Sequence, residues 1–326
     1  MDQNSNHMFH AYEFDGKGLG GELDEQAAIK KVKAKQLAWV HLDANMDYTR
    51  TWLREHVDYL DHIILDALLA EETRPRMTQF EDGLLVILRG VNLNEGMQPE
   101  DMISIRIWID PHRIISVQRR PLKAIRDICD LLEKGMGPKN SGDFLVQLTT
   151  RLFQRMEPVI SDLDDRTDVI EEEILEDPDI ALRRDIVDIR KKAIVFRRYI
   201  SPQKEVISYL RSADVTWIDT MHRRGLQESQ DRVMRYVEDL DAVRERAQIV
   251  KDELANIMAD RMNKNMYVLS IVAAIFLPLG FLTGLLGINV GGMPGADSDI
   301  AFWIVCAICV AFGVGLLAVF RRLNWV

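Results

Sequence analysis

The chain has 326 residues and a formal net charge of −10 at neutral pH. This length allows one large domain or two smaller ones, and the acidic charge argues against a nucleic-acid partner, because phosphate binding needs a basic surface. Three cysteines (Cys129, Cys306 and Cys309) are too few for a disulfide framework.

Residues 1–142 predict a cytoplasmic α/β domain. The first ten residues are polar, so we expect no secretory signal there. A sheet covered by helices would bury the apolar faces of the elements that follow. The predicted strands are residues 37–43, 84–93, 102–109 and 113–118, and the predicted helices lie around residues 46–70 and 121–134.

Residues 143–213 predict a long helical hairpin whose two arms carry opposite charge. Apolar residues recur at helical spacing through residues 145–174 and again in the second arm, so we expect two antiparallel helices joined at residues 176–179. Eleven acidic residues lie in 157–179 and seven basic residues in 180–200. Either these charges pair across the hairpin, or the acidic arm forms a surface that concentrates cations.

Residues 215–288 predict one long stalk helix that continues into a membrane span. Apolar residues recur with a stride of seven, and a second series follows three positions later, which is the pattern of an a/d seam. The seam implies helix association, and several stalks side by side would enclose a channel. Its residues are Leu226, Val233, Leu240, Ala247 and Leu254, with Tyr236, Val243, Val250 and Ile257.

Two uncharged runs, residues 268–288 and 300–320, predict transmembrane helices. Each would be about 31 Å long as a helix, which matches a hydrocarbon core of about 30 Å. Basic residues before the first run and after the second indicate that both termini face the cytoplasm. We therefore expect a multi-pass protein of the inner membrane, with an outer loop at residues 289–299 and a basic cytoplasmic tail at residues 321–326.

One helical stripe of the first span is mostly apolar and contains no ionisable side chain. A permeating ion would meet no side-chain charge there, and such a stripe could form a gate that closes by dewetting. The alternative is that these residues pack against a neighbouring helix. The stripe consists of Asn263, Met266, Leu269, Ala273, Leu277, Gly280 and Gly284.

The connection after this span is short and rich in glycine. Within residues 284–295, Asn289 is the only polar side chain. Glycines let backbones approach closely. If several copies converge, a ring of Asn289 amides and nearby carbonyls could bind a hydrated divalent cation through oxygen dipoles.

The tripeptide Gly287, Ile288 and Asn289, followed closely by Met293-Pro294, resembles the Gly-x-Asn signature of the CorA metal-ion transporter superfamily. The order of segments is also similar over the whole chain: an α/β domain, a helical hairpin, a stalk helix and two C-terminal spans. The resemblance implies a funnel-shaped homopentamer in which the first span lines the pore and the tripeptide forms a selectivity loop at the outer mouth.

Two departures from the usual family pattern are similar to the ZntB branch, which is associated with zinc. Ile288 stands where the family usually has methionine, and Gly295 stands where it usually has an acidic residue. Gly280 replaces a hydroxyl residue that is common in the family, so a polar ring at that level is not expected. The resemblance therefore implies zinc as the transported ion.

A second set of metal ligands is conceivable in the α/β domain. His56, Asp58 and His62 lie close in sequence, and imidazole and carboxylate are zinc ligands. The alternative is that they are ordinary solvated side chains. Cys306 and Cys309 lie in the second span, where small residues usually serve helix packing.

The sequence thus predicts a divalent cation transporter, most simply for zinc uptake, with no permanently bound cofactor. Proton coupling is left open. A magnesium, cobalt or nickel channel of the same fold is one alternative, and a membrane-anchored sensor is another. An enzyme is not expected, because the sequence has no P-loop, nucleophile elbow or metalloprotease motif.

Overall fold

The structure, a computed structural model, describes residues 10–81, 83–287 and 299–323. It divides the chain into an N-terminal unit, Met1–Lys251, and a C-terminal unit, Asp252–Val326. This division falls inside the helix that the sequence predicts for residues 215–288. Each unit is described separately below.

The first part of the N-terminal unit alternates strands with short helices. Its central strands lie where the sequence predicts them, whereas β1, β2, β4 and α1 are additional elements. In chain order the elements are β1 (His10–Phe14), β2 (Gly20–Glu22), α1 (Glu25–Lys33), β3 (Ala38–Asp43), α2 (Asp47–His56), α3 (His62–Leu69), β4 (Arg76–Phe80), β5 (Gly83–Gly90), β6 (Ile103–Ile109), β7 (Arg113–Gln118) and α4 (Lys123–Glu133).

These strands form one seven-stranded sheet in the order β2-β1-β3-β7-β6-β5-β4. Only the central pair, β3 and β7, is parallel, and every other neighbouring pair in the sheet is antiparallel. Two of the antiparallel pairs have short connections: two residues separate β4 from β5, and three separate β6 from β7. Short turns of that kind permit antiparallel pairing, whereas a parallel pair needs a longer crossover.

The sheet is covered on both faces. Side chains alternate along β3, so Val40 and Leu42 join a core with α1, α2 and α3, whereas the Trp39 ring contacts that of Phe144 in α5, with 5.0 Å between ring centroids. All six residues of β3 are buried. This is why the apolar residues of the strand, Ala38, Trp39, Val40 and Leu42, occupy both of its faces.

The rest of the chain is helical: α5 (Ser141–Gln154), α6 (Glu157–Glu176), α7 (Ile180–Ser212), α8 (Thr220–Leu286) and α9 (Ala301–Arg322). The sequence predicts one helix through residues 145–174, but the structure breaks it between α5 and α6. Pro158 lies in the first turn of α6. A proline has no N–H to continue the preceding helix, whereas it fits the first turn of a new one.

Most of the predicted seam of α8 is buried within its own chain, and its last residue, Ile257, is half-buried. Leu226, Val233, Leu240 and Ala247 have no exposed surface, and the Tyr236 hydroxyl donates to the Phe153 carbonyl of α5 at 3.1 Å. The expectation that this seam joins stalks of different copies is therefore corrected. An a/d spacing specifies an apolar face, and the nearest apolar faces here belong to helices of the same chain.

The acidic residues of α6 form ion pairs with a different helix from the one expected. Arg246 of α8 pairs with Asp164 at 2.9 Å, with Asp168, and with Glu171 at 2.6 Å, all three on α6. In the residues that the structure describes, no ion pair joins α6 to α7. Pairing across the hairpin is thus corrected to pairing between α6 and α8.

Candidate ion pathway

The C-terminal unit contains the second half of α8 and the whole of α9. Both α8 and α9 are long and apolar enough to cross a membrane, and none of the most apolar window of either is buried. The core helix of a water-soluble protein would be mostly buried. Large side chains such as Phe276, Phe281 and Trp303 are instead about 70% exposed, at 68%, 70% and 71%.

One face of each of these helices is partly covered. Within residues 268–287 of α8 the half-buried residues are Ile271, Ile275, Pro278, Leu279 and Leu282. Their spacing places them on one side of the helix. The two helices touch at Leu279, since a Cβ on Gly313 of α9 would lie 4.0 Å from the Leu279 Cδ1 atom. We infer that these half-buried residues form the packing face of the hairpin.

The predicted pore-lining residues lie on the other side of α8. With about 100° of rotation per residue, the stripe from Met266 to Gly284 projects opposite to the packing face. Leu277 and Leu269 are 78% and 70% exposed. The seven residues, all exposed, are Asn263, Met266, Leu269, Ala273, Leu277, Gly280 and Gly284.

The hydroxyl groups of this segment are bonded within their own helix. Ser270 Oγ donates to the Met266 carbonyl at 2.8 Å, and Thr283 Oγ1 donates to the Leu279 carbonyl at 2.9 Å. Such bonds satisfy a polar group that has no water beside it. The exposed surface of the segment is therefore mostly apolar.

The predicted selectivity loop begins at the end of α8. The N–H of Gly287 donates to the Thr283 carbonyl at 2.9 Å and closes the last helical turn. Ile288 and Asn289 lie outside the described residues, as do most of the predicted outer loop and residues 324–326 of the predicted tail. The roles of Gly287, Ile288 and Asn289 remain predictions.

The second predicted metal site is not assembled. Among the residues that the structure describes, no group of three or more His, Cys, Asp or Glu side chains is placed to hold a metal ion. His62 contacts Asp61 at 2.9 Å, and the ring of His56 meets that of Trp52 edge to face. His56, Asp58 and His62 are thus corrected from a ligand set to separate surface and helix-packing residues.

The Cys306 and Cys309 side chains both lie among the half-buried residues of α9. Their neighbours on that face include Val305, Gly313 and Leu316, which share the same spacing. This placement agrees with the packing role that the sequence favours.

Two features of the N-terminal unit are not evident from the sequence pattern. One is the contact of Arg246 with three acidic residues of α6, which no spacing rule links to that helix. The other is Arg106, a fully buried arginine in β6. Its only sequence signal is a single charged residue within the apolar strand ISIRIWI.

Comparisons with known proteins extend these observations. The family model of the CorA-like Mg²⁺ transporter protein matches residues 34–322. The chain is 36% identical over 324 residues to the divalent cation transporter CmaX of Pseudomonas aeruginosa, covering 98% of this chain and 96% of that protein. It is also 36% identical over 316 residues to the zinc transport protein ZntB of Pectobacterium carotovorum subsp. carotovorum, covering 97% and 95%.

A solved structure agrees with the sequence matches. The structure of the full-length CmaX protein superimposes with a TM-score of 0.85 at 35% sequence identity, and the match covers 99% of this chain and 100% of that one.

Proposed function

The chain belongs to the CorA-like family and is a divalent cation transporter of the CorA and ZntB type. On this basis we propose that it carries Zn²⁺ across the inner membrane into the cytoplasm. Besides family membership, one observation on this chain supports the proposal: the apolar stripe of α8 projects away from the packing face. A face left free in this way can line a pathway when several copies assemble.

The proposed pathway has a neutral lining. Leu269 and Leu277 would provide an apolar constriction that closes by dewetting, and Asn263 would provide an amide at its inner end. Asn289 would present an oxygen dipole to the hydrated ion at the outer mouth, with Gly287 and Ile288 setting the backbone around it. Selectivity would then depend on the size and hydration of the ion rather than on a charged ligand.

Inward transport of a divalent cation needs no added energy source. A membrane potential of about 100 mV, negative inside, favours the entry of a doubly charged ion by about 4.6 kcal/mol. Exposed acidic residues at the end of α6, including Glu172, Glu173 and Glu176, would raise the local cation concentration on the cytoplasmic side. Both termini would lie on that side.

The proposed assembly is a homopentamer. A single copy leaves its stripe exposed and encloses no channel, so transport through this face requires a ring of copies. The proposal can be checked by measuring the mass of the purified complex in detergent. A mass that fits a monomer or dimer would contradict a pore built from the stripe.

The decisive experiment is zinc flux into liposomes that contain the purified chain and a zinc-sensitive dye. We expect zinc entry driven by an inside-negative potential, and a decrease of about tenfold or more for Asn289→Ala with the oligomer intact. Gln36→Ala is the matched control, because it removes an exposed amide of the N-terminal unit that is not among the proposed pathway residues. Full zinc entry in Asn289→Ala would contradict the role of the loop.

A broader selectivity is the second candidate, because the relative CmaX is named only as a divalent cation transporter. The same liposomes can be loaded with dyes for magnesium, cobalt and nickel. Magnesium entry without zinc entry would overturn the zinc proposal but keep the fold and the pathway. A membrane-anchored sensor would show no flux of any of these ions.

A further inference from the structure

The N-terminal unit contains a cleft of about 1080 Å³ that transport through α8 does not use. It lies between the segment after α3, the edges of β5 and β6, and one side of α7. Sites for small molecules commonly have volumes of about 300–1,000 Å³, so this cleft is large enough for an organic ligand. Its charged lining residues are Glu71, Glu72, Arg74, Arg89, Glu100, Asp101, Arg106, Arg119, Arg120, Lys191 and Arg198.

Three of these arginines share one face of the sheet. Arg106 of β6 lies opposite Ile87 in β5 and Val117 in β7. Arg89 lies two residues beyond Ile87 within β5, where side chains two residues apart point the same way, and Arg119 directly follows the end of β7 at Gln118. The sheet therefore places three guanidinium groups side by side at the floor of the cleft.

These guanidinium groups are held by neutral acceptors rather than by carboxylates. Arg106 donates to the Ala70 carbonyl at 2.6 Å, Arg119 to the Leu69 carbonyl at 2.8 Å, and Arg89 to the Thr73 carbonyl at 2.8 Å. In the described parts of the chain, none of the three forms an ion pair. Their positive charges are fixed in place but not neutralised.

The end of helix α3 compensates only part of this charge. The carbonyls of Leu69 and Ala70 lie at its C-terminus, where the helix dipole amounts to roughly half a negative charge. Glu72 offsets part of the charge of Arg89, and the rest of the positive charge of the three guanidinium groups remains unmatched. A purely structural role in holding this segment would be served by neutral donors, without the cost of bringing like charges together.

The excess of positive charge is clearest at Arg106. Its side chain has no exposed surface. Among the residues that the structure describes, its Nε and Nη1 atoms find no hydrogen-bond partner, nor does Nε of Arg119. Burial, together with the charges of Arg119 and Arg89, lowers the pKa of Arg106 to about 10. A buried charge without a counter-charge is costly, and Arg89 and Arg119 beside it add to the positive charge instead of offsetting it.

The charge of the lining indicates which kind of ligand would offset it. Seven basic and four acidic side chains face the cleft, a surplus of three positive charges. One of the acids, Glu100, lies 3.8 Å from Lys192, which is outside the lining. A monovalent anion such as chloride would leave most of the surplus, whereas an anion of two or more phosphoryl groups would match it.

We propose that this cleft is a binding site for an anion with two or more phosphoryl groups, either inorganic or attached to a nucleoside. Guanidinium groups match phosphoryl oxygens through paired hydrogen bonds. Arg89, Arg106 and Arg119 form the floor, and the exposed Arg120, Lys191 and Arg198 form the mouth through which the ligand enters. The Tyr199 ring, 4.2 Å from the Arg89 guanidinium carbon, helps to hold that side chain in position. This site does not depend on the transported ion.

Calorimetric titration of the full-length protein in detergent tests the proposal. The buffer is freed of divalent cations with a chelating resin, so that metal–phosphate complexes cannot form. Inorganic pyrophosphate should bind roughly tenfold or more tightly than inorganic phosphate, and excess chloride should not displace it. ATP is titrated in parallel, and tighter binding of ATP than of pyrophosphate would identify a nucleoside polyphosphate.

Three variants assign the binding to the cleft. Arg106→Met keeps a long side chain but removes the floor charge, and the double variant Lys191→Gln with Arg198→Gln changes only exposed residues and should fold normally. Each should weaken pyrophosphate binding by about tenfold or more. Arg126→Gln, an exposed change on α4 outside the cleft, should leave the affinity unchanged.

The outcomes that overturn the proposal are distinct. Absence of pyrophosphate and ATP binding at millimolar concentrations would do so, as would binding that the floor and mouth variants leave intact. If Arg106→Met folds but fails to oligomerise, and no phosphate compound binds the wild type, the counter-charge is an acidic surface of a second copy. Zinc flux can be measured on the same samples, so failure of this site is separable from failure of the transport proposal.

Discussion

The two units of this chain differ in the exposure of their aromatic side chains. In the N-terminal unit Trp39, Trp52 and Phe144 are at most 1% exposed, whereas in the C-terminal unit Phe276 and Trp303 are about 70% exposed, at 68% and 71%. Burial in water is driven by the free energy of removing apolar surface from solvent. The first unit is therefore built to fold in water, and the second requires lipid or further copies of the chain to cover it.

The strongest test of this contrast is truncation. We expect residues 1–251 to be monodisperse in aqueous buffer without detergent, because the apolar face of α8 in this part is already buried. A chain that ends at residue 287 should aggregate in the same buffer, because it retains the first span. Size-exclusion chromatography of both products is the measurement. Aggregation of the shorter product would show that the N-terminal unit depends on the rest of the chain.

A second test compares the two faces of α8 within the C-terminal unit. Leu277→Ala shortens a side chain of the exposed stripe, and we expect ion flux to rise several-fold, because a wider apolar constriction is easier to hydrate. Ile275→Ala removes similar volume from the packing face. It should lower the melting temperature and leave the flux per assembled complex unchanged. Equal flux changes for both variants would contradict a functional difference between the faces.

Acid should destabilise the N-terminal unit through His41. Burial, with a smaller effect of His10, lowers the pKa of His41 from 6.5 to about 3. The unfolded chain therefore binds a proton that the folded chain does not, and stability is lost as the pH falls below about 6.5. The loss from this group is about 2 kcal/mol by pH 5.

Urea denaturation of residues 1–251 across this pH range measures the effect. His41→Gln should flatten the dependence of the unfolding free energy on pH, whereas His62→Gln, at an exposed position, should not. An unchanged slope in His41→Gln would show that other groups cause the acid sensitivity.

The smallest expected effect concerns the ion pairs between helices of the N-terminal unit. Arg246→Met should lower the free energy of unfolding by about 1 kcal/mol, because one guanidinium serves three carboxylates on α6. Arg244→Met is the control, since in the described part of the chain Arg244 forms one ion pair, with Asp241 at 3.4 Å and near the surface. The difference between the two variants should shrink at high salt. A larger loss for Arg244→Met would contradict this assignment.

The sequence predicts the central strands closely because their residues are buried on both faces. The predicted strand at 113–118 coincides with β7, whereas β1 and β2 escape prediction because they are short, with no long apolar run. The break before Pro158 is hidden because apolar residues keep their helical spacing across it. The general lesson is that periodicity reports which residues are buried but not where a helix is interrupted.

The periodicity of apolar residues does not reveal which helix or side chain a given residue will contact. The seam of α8 has the same spacing whether its partner is another copy or the helices α5 and α6, so only the folded chain distinguishes them. Arg106 presents the same difficulty, because a lone charged residue in an apolar strand does not say which other charges share its face. The stripe from Met266 to Gly284 was identified as a set, but its function as a pore lining stays a prediction.

The burial of the α8 seam within its own chain has a consequence for biosynthesis. The whole N-terminal unit has been synthesised once residue 251 has been added, whereas the second apolar run is complete only at residue 320. At about 5–20 residues per second the interval between these two points is roughly 3–14 s. The water-soluble part can therefore close around α8 before both apolar segments have left the ribosome, so that each protomer reaches the membrane with its seam already occupied and unable to capture the stalk of a neighbour.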